Sequence, residues 1–202
     1  EGQSKTIQVP TFGENLTFFF RYQVGHMYFR YFMWNFSGRQ SDIQSQGEIS
    51  NGNWITGINA IDAIRLGDQN KLPPEFKNNK GPNEYYLLPF ILGVIGIVFM
   101  YNKGVEGKKD LWTVTLLFLM TGLAIVVYLN HSPLQPRERD YAYAGSFYAF
   151  TIWIGIGVLA LYEGLKKYVP EVPSAGIASG LALLLVPVIM AAENWDDHDR
   201  SN

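Results

Sequence analysis

LWTVTLLFLMTGLAIVVYLN, residues Leu111–Asn130, runs between Asp110 and His131 without one charged side chain. A helix that crosses about 30 Å of hydrocarbon needs roughly 20 apolar residues, and this stretch supplies them. Three further blocks repeat the pattern: YYLLPFILGVIGIVFMY (Tyr85–Tyr101), YAYAGSFYAFTIWIGIGVLALY (Tyr141–Tyr162) and VPSAGIASGLALLLVPVIMAA (Val172–Ala192). Lipid offers no partner for backbone N–H and C=O groups, so each block is expected to be helical. The first is only just long enough to span. The competing reading is a soluble α protein with buried core helices. Four successive charge-free runs weigh against it. So do tyrosines and tryptophans near the block ends, where amphipathic rings favour the headgroup level. The fold class predicted is all-α: a polytopic membrane bundle of four spans, preceded by an aromatic helix.

Composition agrees once it is read locally. The 202 residues carry 16 Lys+Arg against 18 Asp+Glu, a net charge of −2, which excludes a strongly basic nucleic-acid binder. Mean hydropathy is near zero because residues 1–84 are polar and aromatic while 85–192 are apolar. Charged residues make up 17 %, below the usual ~25 %. Without cysteine there is no disulfide, thiolate metal site or cysteine nucleophile. The chain reads as an internal piece of a longer protein, divided into an outer segment 1–84, the bundle 85–192, and 193–202 leading onward.

Lysines orient the bundle. Lys103, Lys108 and Lys109 follow the first block, and Lys166 and Lys167 follow the third. Lysine and arginine excess marks the cytoplasmic side. Residues 1–84, the 130–145 connector and the stretch from Glu193 onward then fall on the opposite, periplasmic face of an inner membrane. All the segments rich in Arg, Asp, Asn, Trp and Tyr gather there.

Thr11–Ser41 carries Arg21, His26 and Arg30 near helical spacing within a dense aromatic set. It fits an interfacial helix and equally a helix packed against the spans; His26 alone reads as a hydrogen-bonded structural histidine. Asn51-Gly52-Asn53-Trp54 is turn chemistry, and Ile58–Leu66 can form two helical turns capped by Gly67. In Asn130–Tyr143, prolines at 133 and 136 oppose helix. Arg137 and Arg139 bracket Glu138, with Asp140 next. Two guanidiniums at a membrane surface suit a phosphate; a self-neutralising salt-bridge cluster is the rival reading. Asp196, Asp197, His198 and Asp199 offer weak ligands for a divalent cation, or form a solvated acidic helix exit. No phosphate-binding glycine loop, dinucleotide fingerprint or hydrolase motif is present, and the spans carry no internal charge for an ion path.

YFMWNFSGRQSDIQ (Tyr31–Gln44), GNWITG (Gly52–Gly57), PLQPRERDYAYAGSF (Pro133–Phe147) and ENWDD (Glu193–Asp197) resemble the large multi-pass Bacteroidota membrane proteins of the DUF2723 type, glycosyltransferase family 117. That family is placed in the GT-C class and is related to transmembrane protein O-mannosyltransferases. The resemblance implies the later part of a GT-C membrane region. It implies transfer of a sugar, expected to be mannose, from a polyprenyl-phosphate donor to an exported protein. The catalytic carboxylate is expected upstream of Glu1. Arg137 and Arg139, backed by Arg21 and Arg39, become candidates for the donor phosphate, and Tyr141 and Tyr143 for a sugar or lipid access path. No cofactor is evident beyond a possible divalent cation. The alternative is a non-enzymatic scaffold or transporter subunit of the cell envelope.

Overall fold

A computed structural model describes residues 9–43, 45, 47–77, 80–133 and 139–199. It is an all-α bundle. The first helix, α1, runs on through Phe12–Phe18, the wider-turned Phe19–Phe29, and Arg30–Phe36. Thr11 starts it with a reciprocal capping box to Glu14. After it come the two-residue strand β1 (Gly38–Arg39), the short helix α2 (Asn59–Leu66) ended by Gly67, and strand β2 (Asn83–Glu84). The bundle follows as α3 (Leu88–Asn102), α4 (Gly104–Leu129), α5 (Asp140–Leu165) and α6 (Glu171–Glu193), with a final turn, α7 (Trp195–His198).

Among the described residues α4, α5 and α6 are long and apolar enough to cross a membrane, which makes the chain a multi-pass membrane protein. At 1.5 Å per residue the 26-residue α4 reaches about 39 Å. Only 11 % of the most apolar window of α4, and of α6, is buried inside the protein. Leu116, Met120, Val127 and Leu184 face outward, an exposure that lipid accommodates and water does not.

The first apolar block departs from expectation. Its helix α3 has 15 residues, about 22 Å, short of a full crossing. Tyr86 and Leu87 adopt left-handed φ values of 54° and 59°, so the helix cannot begin at Tyr85, and Gly104 at φ +80° ends it. Pro89 falls in the first turn, where it costs no hydrogen bond. Pro187 has no N–H to give the preceding turn, and Leu184–Val188 loosens there into π geometry.

α3 packs most extensively on α5, with α4 against both and α6 on the rim beside α5. The core is aromatic: Phe32 and Phe36 of α1 meet Phe150 at 4.9 and 4.6 Å between ring centroids, and Trp153 lies against Phe118 at 5.5 Å. Tyr28 packs on Val126 and Tyr143 in a second cluster. The two readings of the aromatic helix therefore divide along its length. Its second half is wedged among the spans, while Phe12, Leu16 and Phe20 at its start are exposed.

The lysine connectors share one end of the bundle. Lys103 pairs with Glu163 at 2.6 Å and Lys166 with Glu171 at 2.9 Å. The strands, Asn194 and Asp197 lie at the other end.

Candidate functional site

At that second end three segments distant in sequence interlock. Gly38 pairs with Glu84 and Arg39 with Asn83 in an antiparallel ladder of two residues. A side chain at position 38 would strike the Asn83 carbonyl oxygen at 2.5 Å, so only glycine lets the strands meet. The last helix closes the layer. The Glu84 N–H donates to Glu193 Oε2 (3.0 Å), Asn83 Nδ2 to Asn194 Oδ1 (3.0 Å), and Asn194 Nδ2 to the Tyr85 hydroxyl (2.6 Å). Arg39 donates through Nε to the Gly81 carbonyl (2.8 Å) and through Nη2 to Asp197 Oδ2 (2.9 Å).

Between these groups lies a cleft of about 260 Å³. Tyr31, Trp34 and Tyr85 supply its aromatic walls and Asn35, Asn83 and Asn194 its amides. Arg39 and Asp140 bring opposite charges, and Met190 completes the lining. Behind Trp34 the buried Arg30 guanidinium stacks 4.7 Å from the Tyr31 ring and 5.1 Å from the Trp34 ring, while donating to the carbonyls of His26 and Gly52. Gly52 holds φ +65°, as the turn chemistry requires.

The candidate residues fare unequally. Arg39 lines the cleft. Arg21 and Arg139 are exposed, and Arg137 lies outside the described residues. Tyr141 is exposed, but Tyr143 is fully buried against Tyr28 and the His131 ring. Its hydroxyl is buried without a hydrogen-bond partner among the described residues. Asp197 is the partner of Arg39, while Asp196, His198 and Asp199 are exposed. Among the described residues no three His, Asp or Glu side chains group as metal ligands. His26 contacts the Ser45 carbonyl oxygen (3.1 Å) and stacks on Tyr22. Burial, then the Arg30 charge, pushes its imidazole below the usual histidine range. Trp34, Asn35, Asn83, Tyr85, Met190 and Asn194 carry no signal by residue type, although the strings at 31–44 and 193–197 contain three of them.

Glu84 gives the site a pH dependence. Burial first, then the charges of Glu193 and Asp62, hold its carboxyl above the ordinary carboxylate range, against a hydrogen bond from Tyr86. An acid whose folded pKa is raised contributes stability below its unfolded pKa and loses it as pH rises through the folded value. Glu84→Gln should thus melt above the wild type at pH 7, with the gap closing as pH falls toward 4. A gap that stayed constant across that titration would remove Glu84 as its source.

Searches with this chain match no protein-family model, no curated protein and no solved structure. The glycosyltransferase resemblance thus rests on the four quoted strings.

Proposed function

We propose that this chain is part of an integral membrane glycosyltransferase that passes a sugar, expected to be mannose, from a polyprenyl-phosphate donor to an exported protein. The cleft is the observation that carries the reading. Aromatic faces beside several amides and one guanidinium, at the polar end of a lipid-embedded bundle, suit a hydroxyl-rich head carried on a lipid. The lysine bias at the opposite end supports placing the cleft on the periplasmic side of an inner membrane. The catalytic carboxylate is sought upstream of Glu1.

The Arg39–Asp197 pair favours a second reading. A guanidinium already neutralised by a carboxylate and a carbonyl suits a locked, non-enzymatic envelope scaffold.

Asn35→Ala and Asp140→Asn test the two readings, because both side chains line the cleft outside the interlock. In the full-length protein each should lower glycan occupancy on envelope proteins about tenfold, the value of one good hydrogen bond to a ligand. Membrane levels of the protein should stay unchanged. Mass spectrometry of envelope glycoproteins reads the result. Glycans unaffected by deleting the gene would leave the scaffold.

A further inference from the structure

The two halves of α6 are held in different ways. In the first half Ser174, Ala178 and Ala182 recur on one helical face and are buried, and this half packs along α5. From Leu183 to Asp199 no residue is buried. The change comes at Pro187, which donates no backbone hydrogen bond, and Leu184–Val188 takes π geometry there. At the same level Val186 and Pro187 border a cavity of about 410 Å³ that they share with Leu92 of α3 and Ile154 of α5. Beyond it the chain is fastened at its end, by the four bonds that join Glu193, Asn194 and Asp197 to Glu84, Asn83, Tyr85 and Arg39.

We infer that residues 189–198 are a gate for the cleft, hinged at Pro187 and held shut by the latch of Glu193, Asn194 and Asp197. Met190 and Asn194 belong to the cleft wall, so moving this segment opens the cleft. The cavity leaves the hinge without close-packed neighbours on its inner side to resist a bend. Opening exposes no buried apolar side chain, and the latch bonds are polar ones that water can replace. From Pro187 to Asp197 the lever is about 15 Å long, so a bend of about 20° carries its end about 5 Å. Hinge and latch are independent of what the cleft binds, and the gate goes beyond the transferase reading.

Spin-label distances in the full-length protein in nanodiscs test it, in a cysteine-free background that this chain already supplies for its part. Trp195→Cys with Tyr148→Cys, both exposed, reports the lever end against α5. Val172→Cys with Leu159→Cys, also exposed, reports the packed half of α6. The latched protein should give one distance for each pair. Glu193→Ala, Asn194→Ala and Asp197→Ala together should add a population shifted by about 5 Å in the first pair and leave the second unchanged. Asn194→Ala alone breaks two of the four bonds and should give a smaller shifted population, which carries the test if the triple variant does not assemble. Pro187→Ala restores the missing N–H and should remove at least half of that population. Met190→Cys should react with a water-soluble maleimide at least tenfold faster once the latch is broken. An unshifted first pair in the unlatched variants would overturn the gate. A shift in the second pair would show α6 leaving as a whole, and a shift untouched by Pro187→Ala would place the bend elsewhere; each rejects the hinge. None of these readouts uses a glycan, so the gate and the transferase reading fail separately.

Discussion

Gly96→Leu is expected to abolish assembly of the bundle. A Cβ at Gly96 would fall far inside van der Waals contact distance of the Trp153 carbonyl oxygen and 2.9 Å from both the Trp153 carbonyl carbon and the Gly157 nitrogen. Gly157 faces the reciprocal limit, the Leu92 carbonyl oxygen. These obstructions are backbone atoms of the facing helix, which no change of rotamer moves aside. In lipid, helices gain nothing from excluding water between them. Their association depends on close approach, and two glycines back to back permit it. Forcing four carbons into that crossing should cost about 3 kcal/mol or more, the upper end of overpacking penalties. Even Gly96→Ala should lower the thermal midpoint. Size-exclusion of detergent-extracted protein should find Gly96→Leu aggregated where Gly155→Leu, whose Cβ meets no atom within 4 Å, is monodisperse. Gly96→Leu running and melting like the wild type would mean that α3 and α5 do not cross there.

This crossing also marks how far residue patterns reach. Charge-free runs announce α4, α5 and α6 because a backbone in lipid has no option but helix. The lysines announce which connectors share an end, and Lys103 does meet Glu163. The start of α3 is not announced, since nothing in Tyr86-Leu87 advertises two consecutive left-handed residues. The cleft is hidden for a different reason. Its lining comes from residues 31–39, 83–85, 140 and 190–194, joined by strands of only two residues, too short to leave an alternating pattern. Residue type alone does not separate the arginines: Arg39 lies in the cleft but Arg21 and Arg139 at the surface. Tyr143, close in sequence to Arg137 and Arg139, packs inward against Tyr28 and Val126.

The second large effect should come from a residue outside the bundle. Asp62 in α2 is 3 % exposed and accepts four contacts from the preceding turn. The Thr56 N–H reaches both carboxylate oxygens (2.9 and 3.1 Å), and the Thr56 hydroxyl (3.1 Å) and Gly57 N–H (3.0 Å) reach Oδ2. Thr56 itself is fully buried. Asp62→Ala strands the Thr56 and Gly57 backbone donors and leaves the Thr56 hydroxyl only the Ile58 carbonyl at 3.5 Å, at about 1–3 kcal/mol for each buried group, so about 3 kcal/mol or more in total. The spans hold themselves, so the loss should be local. Hydrogen exchange at Thr56 and Gly57 should accelerate at least a hundredfold, consistent with that loss, while amides of α5 remain protected. The damage should still reach the cleft. The next residue back, Ile55, donates its N–H to Gly38 (3.0 Å) and accepts from the Ser37 hydroxyl (2.7 Å), and the Asn53 carbonyl accepts from Gln40 (2.9 Å). These bonds clamp the strand that presents Arg39. Asp62→Ala should therefore lower glycan occupancy as far as the cleft variant Asn35→Ala does, although Asp62 lines no part of the cleft. Unchanged exchange at Thr56 would show that the strand pairing alone secures the loop, and would break the link between this carboxylate and the site.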